Sequence, residues 1–170
     1  MSKYSEIFNY MRQCPQLNDL WSIAATQDVG VKVILPQGAS DAFEYDEKTD
    51  IYGNYECDIV PFPSFYEDYQ INCYKFYDPE DVSNPDVNIN VLGLDAVQAI
   101  CDWVAEQNEI GNLPDISGRK VVSIECNPFV PQIRAVNTQE NIIAYFITVR
   151  IRYVNPYKRK SVTYEIEGNT

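Results

Sequence analysis

Histidine is absent from the 170 residues, and this removes the Ser-His-Asp and Cys-His nucleophile systems and most zinc sites together. The chemistry-bearing groups that remain are thiols and carboxylates. Five cysteines, Cys14, Cys57, Cys73, Cys101 and Cys126, stand far apart with no C-x-x-C pair, so neither a thioredoxin-like nor a zinc-ribbon pattern exists. They are expected to be free thiols packed as small hydrophobes. Cys57 and Cys126 each follow a glutamate, Glu56 and Glu125. A carboxylate near a thiol raises its pKa, the opposite of what a nucleophile needs.

Carboxylates are plentiful, but their spacing fits no hard-metal loop. Asp78, Glu80 and Asp81, like the run from Asp46 to Asp50, lack the turn glycine and terminal glutamate of an EF-hand. Both runs read as solvated acidic loops. Gly30, Gly38 and Gly53 are isolated, so no phosphate-cradling glycine loop and no G-x-S-x-G elbow is present. No catalytic residue, cofactor or metal is therefore expected, and the chain is expected not to be an enzyme.

Charge points away from polyanions as well. Lys and Arg number 13 against 25 Asp and Glu, a net charge of −12, so DNA or an anionic bilayer repels the chain as a whole. The one basic run is Lys158-Arg159-Lys160. No stretch approaches the roughly 18–20 apolar residues of a membrane span, and Met1 to Glu6 carries no continuous apolar core of a signal peptide. Function in a cytoplasm, without a membrane partner, is the expectation. Apolar residues at 45% and aromatics at 13% mark a globular chain, long enough for one core without staples.

The elements that would position these groups follow from periodicity. Tyr4, Ile7, Phe8 and Met11 share one helical face, which predicts a helix over about residues 3 to 13, ended by Pro15. Leu17, Leu20, Trp21 and Ile23 extend the apolar content past it. Alternation and β-branching predict a strand from Val29 to Leu35, broken by Pro36-Gln37-Gly38. Residues 37 to 57 form an acidic, Tyr-rich insertion read as a hairpin or projecting loop turning at Asp46 to Asp50. Cys57 to Val60 runs into Pro61-Phe62-Pro63 and should lie at a sheet edge or end.

Tyr69 to Tyr77 is a predicted strand with aromatics on both faces, Tyr74 and Phe76 among them, which implies cover on both sides or a self-association surface. Asp78 to Asp86 reads as loop. Val97, Ile100, Cys101 and Val104 predict a helix over about residues 94 to 109, with Gly111 as its C-cap and Pro114 blocking resumption. Trp103 lies beside that stripe and reads as core more than interface, whereas Trp21 could serve as an interface anchor. Strands are predicted over Lys120 to Cys126, Phe129 to Val136 and Ile142 to Tyr153. The last has an apolar face and a second face ending in Arg150 and Arg152. Beyond Asn155-Pro156, the alternation of Val162, Tyr164 and Ile166 predicts a strand donated to a neighbouring subunit.

Helices between long sheet-forming runs, without a βαβ rhythm, give an α+β fold: a mainly antiparallel sheet flanked by two principal helices in a single domain. With no chemistry to place, the candidate site residues are subunit or partner contacts: Tyr74, Phe76, Arg150, Arg152, Lys158, Arg159, Lys160 and Tyr164.

The stretch Gly93 to Pro114 resembles the helix of the tail terminator family of long-tailed phages, often called minor capsid proteins. The likeness lies in the ending W-V-x-x-Q-N-x-x-G-x-L-P, carried by Trp103, Val104, Gln107, Asn108, Gly111, Leu113 and Pro114. Flanking segments agree in order: Ile7-Phe8-Asn9-Tyr10 followed by Cys14-Pro15, Val60-Pro61-Phe62-Pro63, Tyr69-Gln70-Ile71, and Ala144-Tyr145-Phe146-Ile147 through Tyr153. The resemblance covers about residues 4 to 153, within a domain taken as 1 to 156. The acidic insertion at 37 to 57 and the extension at 157 to 170 depart from the family pattern and inherit no role from it.

What the resemblance implies is a hexameric homo-oligomer ring at the head-proximal end of a phage tail tube. There it would end tube polymerisation and join the tail to the head connector or stopper protein. The partners would be further copies and the tube protein, and DNA would pass the channel without specific binding. The location would be the virion neck, assembled in the bacterial cytoplasm. Another neck or head-completion role, or a stand-alone protein-binding module, fits the same residues.

Overall fold

The computed structural model describes residues 2–17, 30–88 and 93–164. Leu20, Trp21, Ile23, Val29 and Ile166, for which sequence expectations were set out, lie outside the described residues.

Helix α1 (Lys3–Met11) starts where the Ser2 hydroxyl accepts from the Ser5 amide, and it buries Ile7, Tyr10 and Met11. Helix α3 (Leu94–Ile110) buries Val97, Ile100, Cys101, Val104 and Gln107, and Gly111 ends it at φ 76°. At its other end Gly93 has φ 77°, and a Cβ there would lie 2.9 Å from Lys75 Cγ, so glycine is required twice over. A short helix, α2 (Pro79–Ser83), occupies part of the expected 78–86 loop. The Asp78 carboxylate starts it by accepting from the Glu80 amide at 3.0 Å.

The described residues also form eight strands: β1 (Gly30–Ala39), β2 (Phe43–Thr49), β3 (Tyr55–Pro61), β4 (Ser64–Phe76), β5 (Val121–Cys126), β6 (Gln132–Asn137), β7 (Ile142–Val154) and β8 (Lys160–Tyr164). Every pairing between them is antiparallel. The fold is α+β, but the strands form two sheets where the sequence suggested one. A five-stranded sheet runs β1-β4-β7, with β5 and β6 sharing the far edge of β7; a three-stranded sheet runs β2-β3-β8.

One face of the larger sheet carries the core. Tyr69, Ile71 and Cys73 from β4 and Ile143, Tyr145, Ile147, Val149, Ile151 and Tyr153 from β7 pack with the buried stripes of α1 and α3 in a single cluster. The six β7 residues are those whose alternation marks an apolar face in the sequence. Each large side chain buried here contributes on the order of 1.5–3 kcal/mol.

Several boundaries differ from the sequence reading: β4 begins at Ser64 and not at Tyr69, and β6 runs Gln132–Asn137 and not Phe129 to Val136. Pro36 does not end β1, because β1 is an edge strand and its pairing with β4 shifts register between Pro36 and Gly38, where a missing N–H costs little. The 46–50 run is not the turn. Asp46 to Thr49 continue β2, and the chain reverses over Asp50 to Asn54, where the Asp50 carboxylate accepts from the Tyr52 and Asn54 amides and Gly53 takes φ 83°. Strand β3 is central in its sheet, and its proline lies at its end, paired with Phe43.

The C-terminal strand was expected to seek a neighbour; instead β8 pairs with β3 of its own chain, from Ile59↔Lys160 to Tyr55↔Tyr164. The acidic insertion and the C-terminal extension are thus one structural unit. Asn155, just past β7, ties together the connectors between the two sheets, its side-chain amide donating to Ala42 O at 2.7 Å and its backbone amide to Pro63 O at 3.1 Å. Among the described residues no helix is long and apolar enough to cross a membrane.

Candidate functional site

Antiparallel partners share a face, so the β4–β7 register fixes what the larger sheet shows opposite its core. The pairs are Tyr66↔Arg152, Asp68↔Arg150, Gln70↔Thr148, Asn72↔Phe146, Tyr74↔Ala144 and Phe76↔Ile142. Four candidate contact residues, Tyr74, Phe76, Arg150 and Arg152, therefore lie on one surface, all half-buried. Helices α1 and α3 bury their apolar stripes against the other face, while on this one Asn72 and Thr148 are buried and the remaining paired residues half-buried.

This face is ordered by polar contacts. The Arg150 guanidinium donates to both Asp68 oxygens, at 2.8 and 3.0 Å, and lies 3.6 Å from the Tyr66 ring centroid. The hydrogen bond to Asp68 raises the Arg150 pKa further, so its charge is permanent. Asn72, buried, accepts from Gln70 at 2.8 Å and from Arg134 at 3.2 Å, while the Thr148 hydroxyl donates to Gln37 at 3.0 Å. Four strands, β1, β4, β6 and β7, are cross-linked this way on the face that also carries the half-buried Tyr74 and Phe76.

The other four candidates gather on the smaller sheet. Arg159 donates to Asp58 at 2.7 Å and Ser161 donates to the second oxygen at 2.6 Å. These hydrogen bonds, Ser161 first and then Arg159, with the Lys48 ammonium nearby, hold the Asp58 pKa down to about 2 against the cost of its burial. The opposite face of this sheet is apolar: Tyr45, Ile59 and Lys160 stand in one row, Glu47, Cys57 and Val162 in the next, Thr49, Tyr55 and Tyr164 in the third. Tyr45 is 61% exposed and Tyr164 60%. At one end a groove of about 510 Å³ opens between Phe43, Tyr45, Ile59 and Tyr157, with Lys158, Arg159 and Lys160 on its rim. Tyr157 packs on Phe43, ring centroids 5.1 Å apart.

Thiols and carboxylates have structural surroundings. Burial pushes the Cys14 pKa up to about 11 and that of Cys73 higher still. The Cys126 pKa is raised by its contact with the Cys101 sulfur and by burial; the expected cause, Glu125, lies on the opposite face of β5, across from Arg150. Partial burial disfavours the Glu67 carboxylate, but the Tyr69 hydroxyl at 2.6 Å, Lys3 at 3.0 Å and Arg119 at 3.1 Å outweigh it and lower its pKa. This cluster ties α1 to β4. The Tyr153 hydroxyl is buried beside it without a hydrogen bond of good geometry. Among the described residues no group of three Cys, Asp or Glu side chains is placed to hold a metal ion.

The residues of the W-V-x-x-Q-N-x-x-G-x-L-P ending lock the end of α3 in place. Trp103 packs 5.5 Å from Tyr10, Gln107 accepts from the Asn112 side chain at 2.6 Å, and the Tyr10 hydroxyl donates to Asn112 O at 2.8 Å. Asn108 accepts from the Ile124 amide at 2.9 Å, which fastens the helix to β5. Pro114 is buried and Leu113 half-buried. No protein-family model and no curated protein matches the chain.

The sequence reading missed Tyr66 and Asp68, which precede the predicted start of β4, and the Phe43, Tyr45, Ile59 and Tyr157 groove. A signal existed for the first pair, because Tyr66, Asp68, Gln70 and Asn72 continue the alternation without a break. None existed for the groove, which combines strands about 100 residues apart in the chain.

Proposed function

We propose that this chain is a structural subunit that works by assembly, as a tail terminator ring closing the head-proximal end of a phage tail tube and joining it to the head connector. On this reading residues 1 to 156, with two principal helices packed on the larger sheet, are the terminator-like domain. The observation that carries the proposal is the face of that sheet opposite its two long helices. Tyr74, Phe76, Arg150 and Arg152 come together there from two strands, on a rigid surface that neither long helix uses. Half-exposed aromatic and arginine side chains held in fixed positions are the chemistry of interface anchors. What supports a place in the virion is the resemblance of the segment order to that of the tail terminator family.

Tubes grown from their tube protein with and without this chain test the reading by electron microscopy. Control of tube length, with density for the chain at one tube end, is expected. Unchanged lengths and bare ends would sink the neck assignment. A second reading, a protein-binding module, is favoured by the apolar groove with its basic rim; binding of a peptide ligand by a strictly monomeric chain would select it.

A further inference from the structure

The turn between β2 and β3 presents two large apolar side chains to water. Ile51 is 91% exposed and Tyr52 83%. They are not on a floppy loop, because the Asp50 carboxylate accepts from the Tyr52 amide at 2.8 Å, the Asn54 amide at 2.8 Å and the Asn54 side chain at 3.1 Å. The Asp50 amide closes the turn onto Asn54 O at 2.9 Å. Holding exposed apolar groups in one conformation removes part of the ordering cost of docking. The charge near the tip is net negative, with Glu47, Asp50 and Glu56 against one cation, Lys48, which stands opposite Glu56.

The complementary surface is the groove at the other end of the same sheet. Its floor is Phe43, Tyr45, Ile59 and Tyr157, and its rim is cationic. Arg159 is engaged by Asp58, whereas Lys158 and Lys160 make no ion pair among the described residues. We propose that the Ile51–Tyr52 tip of one copy seats in this groove of a second copy, with the tip carboxylates against Lys158 and Lys160. A chain cannot do this to itself, since β2 carries the chain away from Tyr45 towards the turn, and six residues separate Tyr45 from Ile51, about 20 Å at ~3.3 Å per residue of strand.

A subunit that donates at one end of a sheet and receives at the other makes a heterologous contact, which either closes into a ring or continues as a filament. The opposed charges set the direction, because a tip-to-tip or groove-to-groove arrangement would juxtapose like charges. The unit that carries both halves is the one built from the acidic insertion and the C-terminal extension. The inference rests on this surface chemistry and does not need the neck assignment.

Sedimentation and native mass measurement of the full chain over a range of concentrations read the contact directly. Wild type is expected to self-associate. The tip variant Ile51→Ser with Tyr52→Ser, and the groove variant Tyr45→Ser with Lys160→Glu, should each weaken association by more than about tenfold, the scale for removing an interface anchor. All four positions are exposed, and unchanged far-UV circular dichroism and thermal midpoints would show that both variants fold. Mixing the two variants is the decisive arm, because one intact tip then meets one intact groove and a one-to-one heterodimer should form. Wild type monomeric at every concentration would overturn the contact while leaving the neck reading to its tube-length test. Mixed variants that stay apart would also overturn it. So would association insensitive to the tip but abolished by deleting residues 165 to 170, which would assign the groove to the chain's own end.

Discussion

Arg150 holds Asp68 across the β4–β7 pairing with two hydrogen bonds, 2.8 Å from Nε and 3.0 Å from Nη2, and stacks its guanidinium 3.6 Å from the Tyr66 ring centroid. Arg152, two residues on along the same face, is 5.5 Å from the same ring and makes no ion pair among the described residues. The two arginines share a surface but not a role. One is fixed as part of the sheet, and the other is available to a partner.

Substitution separates those roles. Arg150→Ala removes a fork-shaped pair and a stacked cation, and should lower unfolding stability by roughly 1.5–3 kcal/mol, the range for hydrogen bonds to charged groups. Arg150→Lys should recover less than half of that, since an ammonium can neither bridge both Asp68 oxygens nor stack as a plane. Arg152→Ala should change stability by less than about 1 kcal/mol yet weaken binding to a partner on this face. Urea unfolding of the three variants measures the first two effects, and pull-down or sedimentation the third. Equal destabilisation by Arg150→Ala and Arg152→Ala would contradict this division.

Much of the larger sheet was legible because its strands alternate. Ile143 to Tyr153 alternate apolar with mixed residues, and the buried set is the set the pattern marks. The helix over 94–109 was legible to within a residue, because its apolar spacing ends at a glycine that must take positive φ. The smaller sheet was not. Phe43, Tyr45, Glu47 and Thr49 alternate too, but charge density at Asp46 to Lys48 reads locally as a turn, and only pairing with β3 makes it a strand. Likewise Val162 and Tyr164 announced a strand without naming its partner, since antiparallel pairing over a hundred residues of separation leaves no trace in a single sequence. The contact residues on β4 and β7 were visible individually; their meeting on one face was set by register.

The thiols offer a test of whether any cysteine is built for chemistry. Cys14, Cys73, Cys101 and Cys126 are buried, and Cys57 is half-buried on the apolar face of the smaller sheet beside Val162. In native protein a small thiol reagent should therefore modify Cys57 first. The other four should follow on the order of 100-fold more slowly, because each waits for an opening that costs several kcal/mol. In denaturant all five should react together. Time-resolved mass spectrometry of the modified peptides reads the order. A buried cysteine reacting as fast as Cys57 would reveal an activated thiol. If copies associate through the smaller sheet, Cys57 should also become protected as protein concentration rises.

Acid should release the C-terminal strand before it unfolds the core. Asp58 faces Ser161 and Arg159 from the β8 segment and Lys48 and Asp46 from β2, and its pKa is held at about 2 from an ordinary 3.8. A carboxylate whose folded pKa is depressed contributes stability that is fully present above its unfolded value and is lost as pH falls through the folded one. The window for β8 is therefore from about pH 4 down to about pH 2, where protonation breaks the Arg159 and Lys48 pairs together. Hydrogen exchange of residues 160 to 164 should stay slow at pH 4 and accelerate towards pH 2, while the amides of β7 remain protected at the start of that window. Asp58→Asn should give a strand with weaker protection at neutral pH and little further loss over the same range. Retained acid sensitivity in Asp58→Asn would move the cause to another carboxylate, and Glu67, also depressed but placed between α1 and β4, would then be the first to substitute.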